Sequence, residues 1–255
     1  MSRIAAIAWN TFRESIRDKI LYNLLIFALL LIASTVFLQE LAVGFPGRVM
    51  VDLGLGFINI FGVFITVFIG IGLVYKEIDR RTIYTIVSKP ISRLRFLMGK
   101  YFGLQLTLLV NLALMTVLLF AAIYFTLKET PWHIIWAAGF MFIDFMVLTS
   151  VAMMFSTFTT PTLSALFTLS FWVTGHLVGD MRHFAEQAKS TRVIHTFAFL
   201  TSAFPDLERF NLKSWASYGG PLDHSVIIYT IMLGLIYSIF FFTIAALIFW
   251  RRDFK

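Results

Sequence analysis

The chain has 255 residues, of which 59% are hydrophobic, 29 are phenylalanine and only 14% are charged. A soluble domain of this size carries about 25% charged residues. The composition therefore excludes a soluble globular protein and indicates an all-α polytopic membrane protein. The absence of cysteine excludes disulfides, thiol catalysis and cysteine-ligated metals. The net charge of +7 is expected from basic residues retained at the inner membrane face, and we expect no nucleic-acid partner.

The first predicted element is an amphipathic helix over residues 3–18, within an N-terminal segment 1–19 that lies in the membrane interface. Its polar face carries Arg3, Asn10, Arg13, Glu14, Arg17 and Asp18, and its apolar face carries Ile4, Ala5, Ala8, Trp9, Phe12 and Ile16. A helical basic flank of a signal anchor is the alternative. The apolar stretch 20–38 is longer than a signal-peptide core, which indicates an uncleaved first span.

Six segments are long and apolar enough to cross about 30 Å of hydrocarbon. They are residues 20–39, 53–75, 101–126, 132–155, 161–179 and 225–250, the fourth and fifth being joined only by the short polar stretch 156–160. Most of the 21 lysines and arginines face the cytoplasm if the N-terminus is inside, whereas the two short outer loops hold only Arg48 and Lys128. This bias predicts that both termini are cytoplasmic.

The loop 76–100, between the second and third spans, is polar but carries a helical pattern. Ile83, Ile86 and Val87 follow helical spacing, Pro90 ends that helix, and Ser92 can cap the next one. A docking helix for a soluble partner and a loop that only sets topology explain this pattern equally well. Gly99-Lys100 is not part of a phosphate-binding loop, which needs further glycine and hydroxyl residues. Any ATP would therefore be bound by another chain.

The outer segment 180–224 contains too many apolar residues for a disordered loop. We expect it to be partly helical and to return to the membrane surface or cap the outer ends of the spans. The residues that favour this are Phe197, Ala198, Phe199, Leu200 and Phe204.

Together these features resemble the six-helix permease subunits of ABC-type exporters, the ABC-two class, over essentially the whole chain. Family members carry E-x-x-x-G-T, a hydrophobic helix, a proline, an arginine and a G-K in the loop between spans two and three. The matching residues here are Glu77, Thr82, Pro90, Arg93 and Gly99-Lys100, with Arg81 where glycine is usual. The segment FPDLERFNLK at 204–213 is similar to permeases grouped with multi-copper enzyme maturation.

The resemblance implies a single permease domain over residues 1–255 in a bacterial or archaeal plasma membrane. It also implies a second permease copy or paralogue and a separate cytosolic ATPase, which would bind ATP and magnesium, so that this chain holds no cofactor. A coupling helix within 77–89 would meet the ATPase, with residues 3–18 as a connecting helix beside it. The implied coupling residues are Glu77, Arg81, Thr82, Lys89, Pro90 and Arg93.

Among the polar residues of the predicted spans, Asn59, Asn111 and Asp144 are the candidates for a functional role inside the membrane. A charged aspartate at the bilayer centre costs roughly 2.5–3.5 kcal/mol on insertion scales, so it requires a partner or a proton. Asp144 either lies on a translocation path or forms a hydrogen bond between helices, with Asn111 or Thr149 as the expected partner.

Two further patterns leave alternatives open. Gly62, Thr66 and Gly70 form a small-residue stripe that favours close helix packing, either within one subunit or between two. His176, Asp180 and His183 share one helical face and could ligate zinc or copper, although histidines scattered at an interface are the commoner outcome.

Export by an ATP-driven complex is the leading functional prediction. The alternative is a membrane scaffold or mechanical transducer that passes ATPase motion to a periplasmic partner through residues 180–224. An intramembrane enzyme is disfavoured, because the chain has neither H-E-x-x-H nor G-x-S-x-G. A secondary transporter is disfavoured because no inverted repeat is evident.

Overall fold

A computed structural model describes residues 3–15, 26–33, 46–79, 92–128, 130–187, 195–197, 201, 204–218 and 223–251. These residues form helices and connecting turns, with no strand among them. The helices are α1 (Arg3–Ser15), α2 (26–33), α3 (Pro46–Asp79), α4 (Arg93–Leu127), α5 (His133–Ser156) and α6 (Pro161–Gln187). A 3-10 helix (Leu207–Phe210) and the short α7 (Lys213–Tyr218) precede the last helix, α8 (His224–Arg251).

Five of these helices, α3, α4, α5, α6 and α8, are long and apolar enough to cross a membrane, which confirms five of the six predicted spans. Of the first predicted span, 20–39, the structure describes only α2, whose Phe27 and Leu31 are buried; the rest lies outside the described residues. The helices also extend beyond the predicted limits. Within the loop 76–100, residues 76–79 continue α3 and residues 93–100 begin α4, whereas residues 80–91 lie outside the described residues.

Neighbouring spans run antiparallel, which gives the bundle two distinct ends. Gly54, near the start of α3, packs on Leu119 late in α4, and Gly70, late in α3, packs on Leu104 early in α4. We name one end the α1 end; there α3 and α8 finish and α4 begins. At the opposite end, the cap end, α3, α5 and α8 begin. Among the described spans α5 is the most enclosed and α8 the least.

The small-residue stripe of α3 packs inside this chain. A methyl group added at Gly62 would overlap the ring of Phe145 in α5, and one added at Gly70 would lie 3.3 Å from Leu104 and 3.6 Å from Ala152. Thr66 is fully buried between these glycines and donates its hydroxyl hydrogen to the Gly62 carbonyl over 2.7 Å. Of the two alternatives for this stripe, the structure therefore supports packing within one subunit.

The connection between α5 and α6 is a turn closed by hydroxyl groups. Ser156 and Thr157 donate to the Met153 and Met154 carbonyls over 2.8 and 2.6 Å, and the hydroxyls of Thr159 and Ser164 are 2.5 Å apart. These bonds satisfy the carbonyl groups that a helix end leaves open. The fourth and fifth spans are thus two helices joined as a hairpin, as the sequence predicted.

Candidate functional site

At the α1 end, α1 lies directly against the backbone of α4. A side chain at Gly99 would approach Ile7 to 2.6 Å, and one at Gly103 would approach the Ala8 carbonyl oxygen and the Thr11 side chain to 2.6 Å. Thr11 is only 1% exposed. Glycine is required at both positions because any Cβ would separate the two helices.

The face of α1 that packs on α4 is not the apolar face that the sequence assigns to the membrane interface. The side that packs on α4 contains Ile7, Thr11 and Ser15, none of which was assigned to the apolar face, whereas Trp9 is 45% exposed. Small hydroxyl residues are buried because they allow a close approach that large apolar residues would prevent. Trp9 is left outside, with the Arg13 guanidinium 5.6 Å from its ring. An exposed tryptophan beside arginine is typical of a membrane interface.

Charged groups also connect helices at this end. The Lys100 ammonium lies 4.0 Å from the Glu14 carboxylate of α1 and 5.7 Å from the Phe96 ring, and Lys100 is 5% exposed. Arg93 donates to the Trp250 carbonyl oxygen of α8 over 3.0 Å. Gly99-Lys100 therefore serves helix contact in this structure, and Arg93 links the start of α4 to the end of α8.

Two of the six predicted coupling residues, Glu77 and Arg93, are among the described residues, and both lie at this end. Glu77 lies in the last turn of α3 and Arg93 is the first residue of α4. Arg81, Thr82, Lys89 and Pro90 lie outside the described residues, as does most of the predicted coupling helix. Ser92 occupies the N-cap position of α4 as expected, but its side chain makes no capping hydrogen bond. The prediction that this side chain caps the helix is therefore wrong.

Asp144 is buried midway along α5, but its expected partners were wrong. Its Oδ2 accepts a 3.3 Å hydrogen bond from the indole nitrogen of Trp172 and lies 3.8 Å from the His176 Nε2, both in α6. Asn111 and Thr149 instead donate to carbonyls of their own helices, over 3.1 and 2.6 Å. The aspartate therefore joins the two helices of the α5–α6 hairpin.

The other two polar candidates from the sequence, Asn59 and Asn111, are also buried, at 5% and 2% exposed. Asn111 borders a small cavity between α3, α4 and α5, whose apolar lining includes Ile58, Leu108 and Phe145. The side-chain amide oxygen, Oδ1, of each asparagine has no hydrogen-bond partner among the described residues. Neither asparagine forms a hydrogen bond to Asp144 among the described residues, and their role inside the membrane stays a prediction.

Residues Phe204–Tyr218, which we name the outer cap, close the cap end of the bundle. Leu207 and Phe210 are 0% and 1% exposed. A Cβ added at Gly175 in α6 would lie 2.6 Å from Leu207, and one added at Gly234 in α8 would lie 3.2 Å from Phe210. Leu207 of the cap thus fills a notch left by Gly175, whereas the space at Gly234 is filled first by Ile143 of α5, with Phe210 beside it. This confirms the prediction of a partly helical segment between the last two spans.

The second half of the outer cap contacts α3 and α5. The Trp215 ring meets His133 edge-on at 4.9 Å, and the Ser217 hydroxyl donates to the Asp52 carboxylate. The Arg48 guanidinium lies 5.4 Å from the Tyr218 ring. Four spanning helices therefore touch the cap, which lies across the end of the bundle.

The outer cap also carries partly buried charges. Burial lowers the pKa of Lys213, against the opposing effect of the nearby carboxylates of Glu208, Asp144 and Asp52. Burial likewise raises the pKa of Glu208, while its hydrogen bond from Asn211 and the nearby Lys213 oppose that shift. Lys213 is therefore a partly buried cation of the cap with three carboxylates in its surroundings.

The possible metal site does not form within the described part of the chain. No three side chains of histidine, aspartate or glutamate gather there at metal-binding separation. His176 is directed toward Asp144 instead, and its Nδ1 lies 3.0 Å from the Trp172 carbonyl oxygen.

Sequence reasoning missed three features: the α4 glycine seat, the indole partner of Asp144, and Lys213. The first had a readable signal, since Gly99, Gly103 and Thr107 repeat every fourth residue. Trp172 and Lys213 had none, because their roles depend on how α6 and the cap fold back on α5.

Residues 5–254 match the family described as ABC-2 family transporter protein. The chain belongs to this family. No curated protein matches it. The chain is therefore a multi-pass membrane permease subunit of an ABC transporter, and as an ABC-2 permease it is a transport component without catalytic activity of its own.

Proposed function

We propose that this ABC-2 permease is the membrane-spanning subunit of an exporter, driven by a separate cytosolic ATPase that docks at the α1 end. The observation that carries the proposal is the convergence of four helices at that end. α1 lies against Gly99 and Gly103 of α4, and Arg93 joins α4 to the end of α8. The last turn of α3, with Glu77, leads into the predicted coupling helix. A force applied there would reach all four helices together.

Long unbroken helices would transmit that force across the membrane. α3 has 34 residues and α4 has 35, and at about 1.5 Å per residue each extends beyond the hydrocarbon layer. Tightly packed helices move as rigid bodies between discrete arrangements. ATP can drive such a switch only if the ATP-bound partner prefers one of those arrangements.

Both termini are proposed to be cytoplasmic, in the plasma membrane of a bacterium or archaeon, with two permease chains in the complex. The basic residues at the α1 end, including Arg93 and Arg251, support this orientation. A C-terminal reporter that functions only in the cytoplasm should be active. Activity of a reporter that functions only outside would reverse the orientation and move the ATPase site to the other end.

Co-purification tests the coupling. The tagged full chain is extracted in mild detergent and its bound proteins are compared with those of Glu77→Ala/Lys89→Ala. A matched control, Asp180→Ala/Arg182→Ala, removes one acid and one base near the cap end. The proposal requires an ATPase retained by wild type and by the control but lost from the coupling variant. Loss from neither variant, or no ATPase in any sample, would contradict it.

Mechanical transduction is the second candidate, favoured by the ordered cap. Tyr218 is 70% exposed at the end of α7, so the cap offers a folded surface to a periplasmic protein. Vesicles that contain the permease and ATPase distinguish the two functions. ATP-dependent accumulation of an extract component favours export, whereas ATP-dependent capture of a periplasmic protein without accumulation favours transduction.

A further inference from the structure

The carboxyl group of Asp144 is buried with too few partners for an ionised acid. Asp144 is 3% exposed, and its Oδ1 has no hydrogen-bond partner among the described residues. Its Oδ2 accepts one hydrogen bond, from the Trp172 indole over 3.3 Å. An ionised carboxylate can accept hydrogen bonds on both oxygens, and burying it with fewer carries a large desolvation cost. A lone anion is therefore strongly disfavoured at this position.

His176 faces the same carboxyl oxygen with a fixed ring orientation. Its Nδ1 lies 3.0 Å from the Trp172 carbonyl oxygen. A carbonyl oxygen only accepts hydrogen bonds, so Nδ1 carries a hydrogen, and Nε2 of the neutral ring is then an acceptor. This Nε2 lies 3.8 Å from Oδ2 of Asp144. A neutral ring beside an ionised carboxylate would therefore place two acceptors opposite each other in surroundings of low dielectric constant.

One additional proton removes this conflict. On the carboxyl group, it provides an O–H that faces the Nε2 acceptor; on Nε2, it forms an imidazolium that pairs with the carboxylate. Both forms are neutral overall, whereas the pair without this proton keeps one net negative charge, which is costly to bury. We propose that Asp144 and His176 together bind a single proton inside the α5–α6 hairpin, taken from water and returned to it. The two groups titrate as one unit.

Other titratable groups surround this pair. They are Lys213, Glu208 and Asp206 of the outer cap, Asp180 of α6, Asp52 of α3 and Tyr237 of α8. The predicted spans within α3, α4 and α8, which pack on the hairpin, contain no charged residue. The surrounding charges affect the pH at which the proton leaves, so the test counts protons on the pair itself and uses variants of its two members.

Two spectroscopic signals count these protons in the full chain, purified and reconstituted in lipid bilayers. Nitrogen NMR of a chain labelled in its five histidines distinguishes a neutral ring from a doubly protonated one, and His176→Gln identifies the His176 signal. Infrared difference spectroscopy detects a protonated carboxyl group, and Asp144→Asn identifies its band. At neutral pH we expect either a protonated Asp144 with a neutral ring or an ionised Asp144 with a doubly protonated ring. An ionised Asp144 with a neutral ring, or both groups protonated, would overturn the proposal.

Each single variant should break the pair in a defined way. In His176→Gln, Asp144 lacks its basic partner and should keep the proton itself, so the protonated-carboxyl band should be present. In Asp144→Asn, the His176 ring has no anion beside it and should be neutral at neutral pH. The matched control is His183→Gln, an exposed histidine on the same helix, which should leave both signals unchanged. An ionised Asp144 in His176→Gln, or a doubly protonated ring in Asp144→Asn, would refute shared binding.

Loss of the proton should weaken the hairpin, because one net negative charge then remains buried. The pair stabilises the chain while the proton is bound, and this stability is lost as pH rises through the value at which the proton leaves. The melting temperature of the wild-type chain should fall by several degrees over that range, that of His183→Gln should fall equally, and that of Asp144→Asn should fall less. An equal fall in Asp144→Asn would refute the stabilising role. These measurements need no ATPase, so their outcome is independent of the proposed export function.

Discussion

Replacing Gly103 with alanine should detach α1 from α4. The new methyl carbon would lie 2.6 Å from the Ala8 carbonyl oxygen and from Thr11 Cβ, well inside the 3.4 Å at which ordinary contact begins. One of these atoms belongs to the backbone of α1, so no side-chain rotation relieves the overlap. The helices must separate by most of an ångström, which also weakens the contact at Gly99 one turn away.

Overpacking of this kind typically costs about 1–3 kcal/mol. At 1.36 kcal/mol per factor of ten, the population of detached α1 should rise roughly fivefold to 150-fold. The cost falls on α1 alone, because the rest of α4 packs on other spans through residues that the substitution does not touch. The effect should therefore be local.

Ser15→Cys provides the assay, since Ser15 is 6% exposed on the packed face of α1 and a thiol closely matches its hydroxyl. In detergent, a maleimide should label Ser15→Cys roughly fivefold to 150-fold faster in the Gly103→Ala chain than in the chain with Gly103. Gly139→Ala is the matched control, because a Cβ there meets nothing within 4 Å. Equal labelling of the two alanine variants would refute the inference that Gly103 is a seat for α1.

Three further predictions concern the bundle and the cap. Gly62→Ala should lower the free energy of unfolding by about 1–3 kcal/mol, because the added methyl group overlaps the Phe145 ring. Phe145→Leu in the same chain should restore part of the loss. Trp172→Phe should destabilise the chain by about 1.5–3 kcal/mol, because Asp144 loses its indole donor. The pKa of Glu208 is raised in the cap, so its stabilising effect is complete below its ordinary pKa of 4.5 and is lost as pH rises through the raised value. A maleimide should therefore label a cysteine at the buried position Ala216 of the outer cap faster as pH rises through that window, relative to a cysteine at the exposed position Ser214. In Glu208→Gln this ratio of labelling rates should not change with pH.

Each of these predictions has its own control. Gly139→Ala should leave the melting temperature unchanged where Gly62→Ala lowers it. Trp136→Phe removes an indole that is 52% exposed, and a loss equal to that of Trp172→Phe would contradict a specific bond to Asp144. For the pH series, the maleimide labelling rate of Ser214→Cys, an exposed position on the same helix, corrects for the change of thiol ionisation with pH. A trend that persists in Glu208→Gln would assign the effect to another group near Glu208, such as Asp180, Asp206 or Lys213.

The spans could be predicted from the sequence because hydrocarbon imposes a simple rule on length and polarity. The structure confirms the hairpin at 156–160 and the helical N-terminal segment for the same reason, since both are local properties of the chain. The face of α1 could not be predicted this way. Hydrophobicity assigns Trp9 to the face that lies in the membrane interface, but it does not identify the face that packs on α4, which close contact sets through the small residue Thr11.

The polar contacts depended on which helices meet, which periodicity does not specify. Asn111 was a reasonable partner for Asp144 by depth, but helix contact placed Trp172 there instead. Nothing in the sequence indicated the role of Lys213, because its surroundings form only after the outer cap folds over four spans. Regularly spaced glycines in the sequence can indicate close helix contacts, whereas no sequence pattern indicates the electrostatic pairs between residues far apart in the chain.

The short turn between α5 and α6 also bears on how the chain enters the membrane. A connection of four residues, 157–160, cannot leave one helix in the bilayer while the other waits in water, so the two must insert together. The indole donor for Asp144 lies on the second of these helices. A carboxylate that costs roughly 2.5–3.5 kcal/mol on a lone helix thus arrives in lipid with its partner alongside. Biogenesis and stability of this hairpin should depend on the same hydrogen bond.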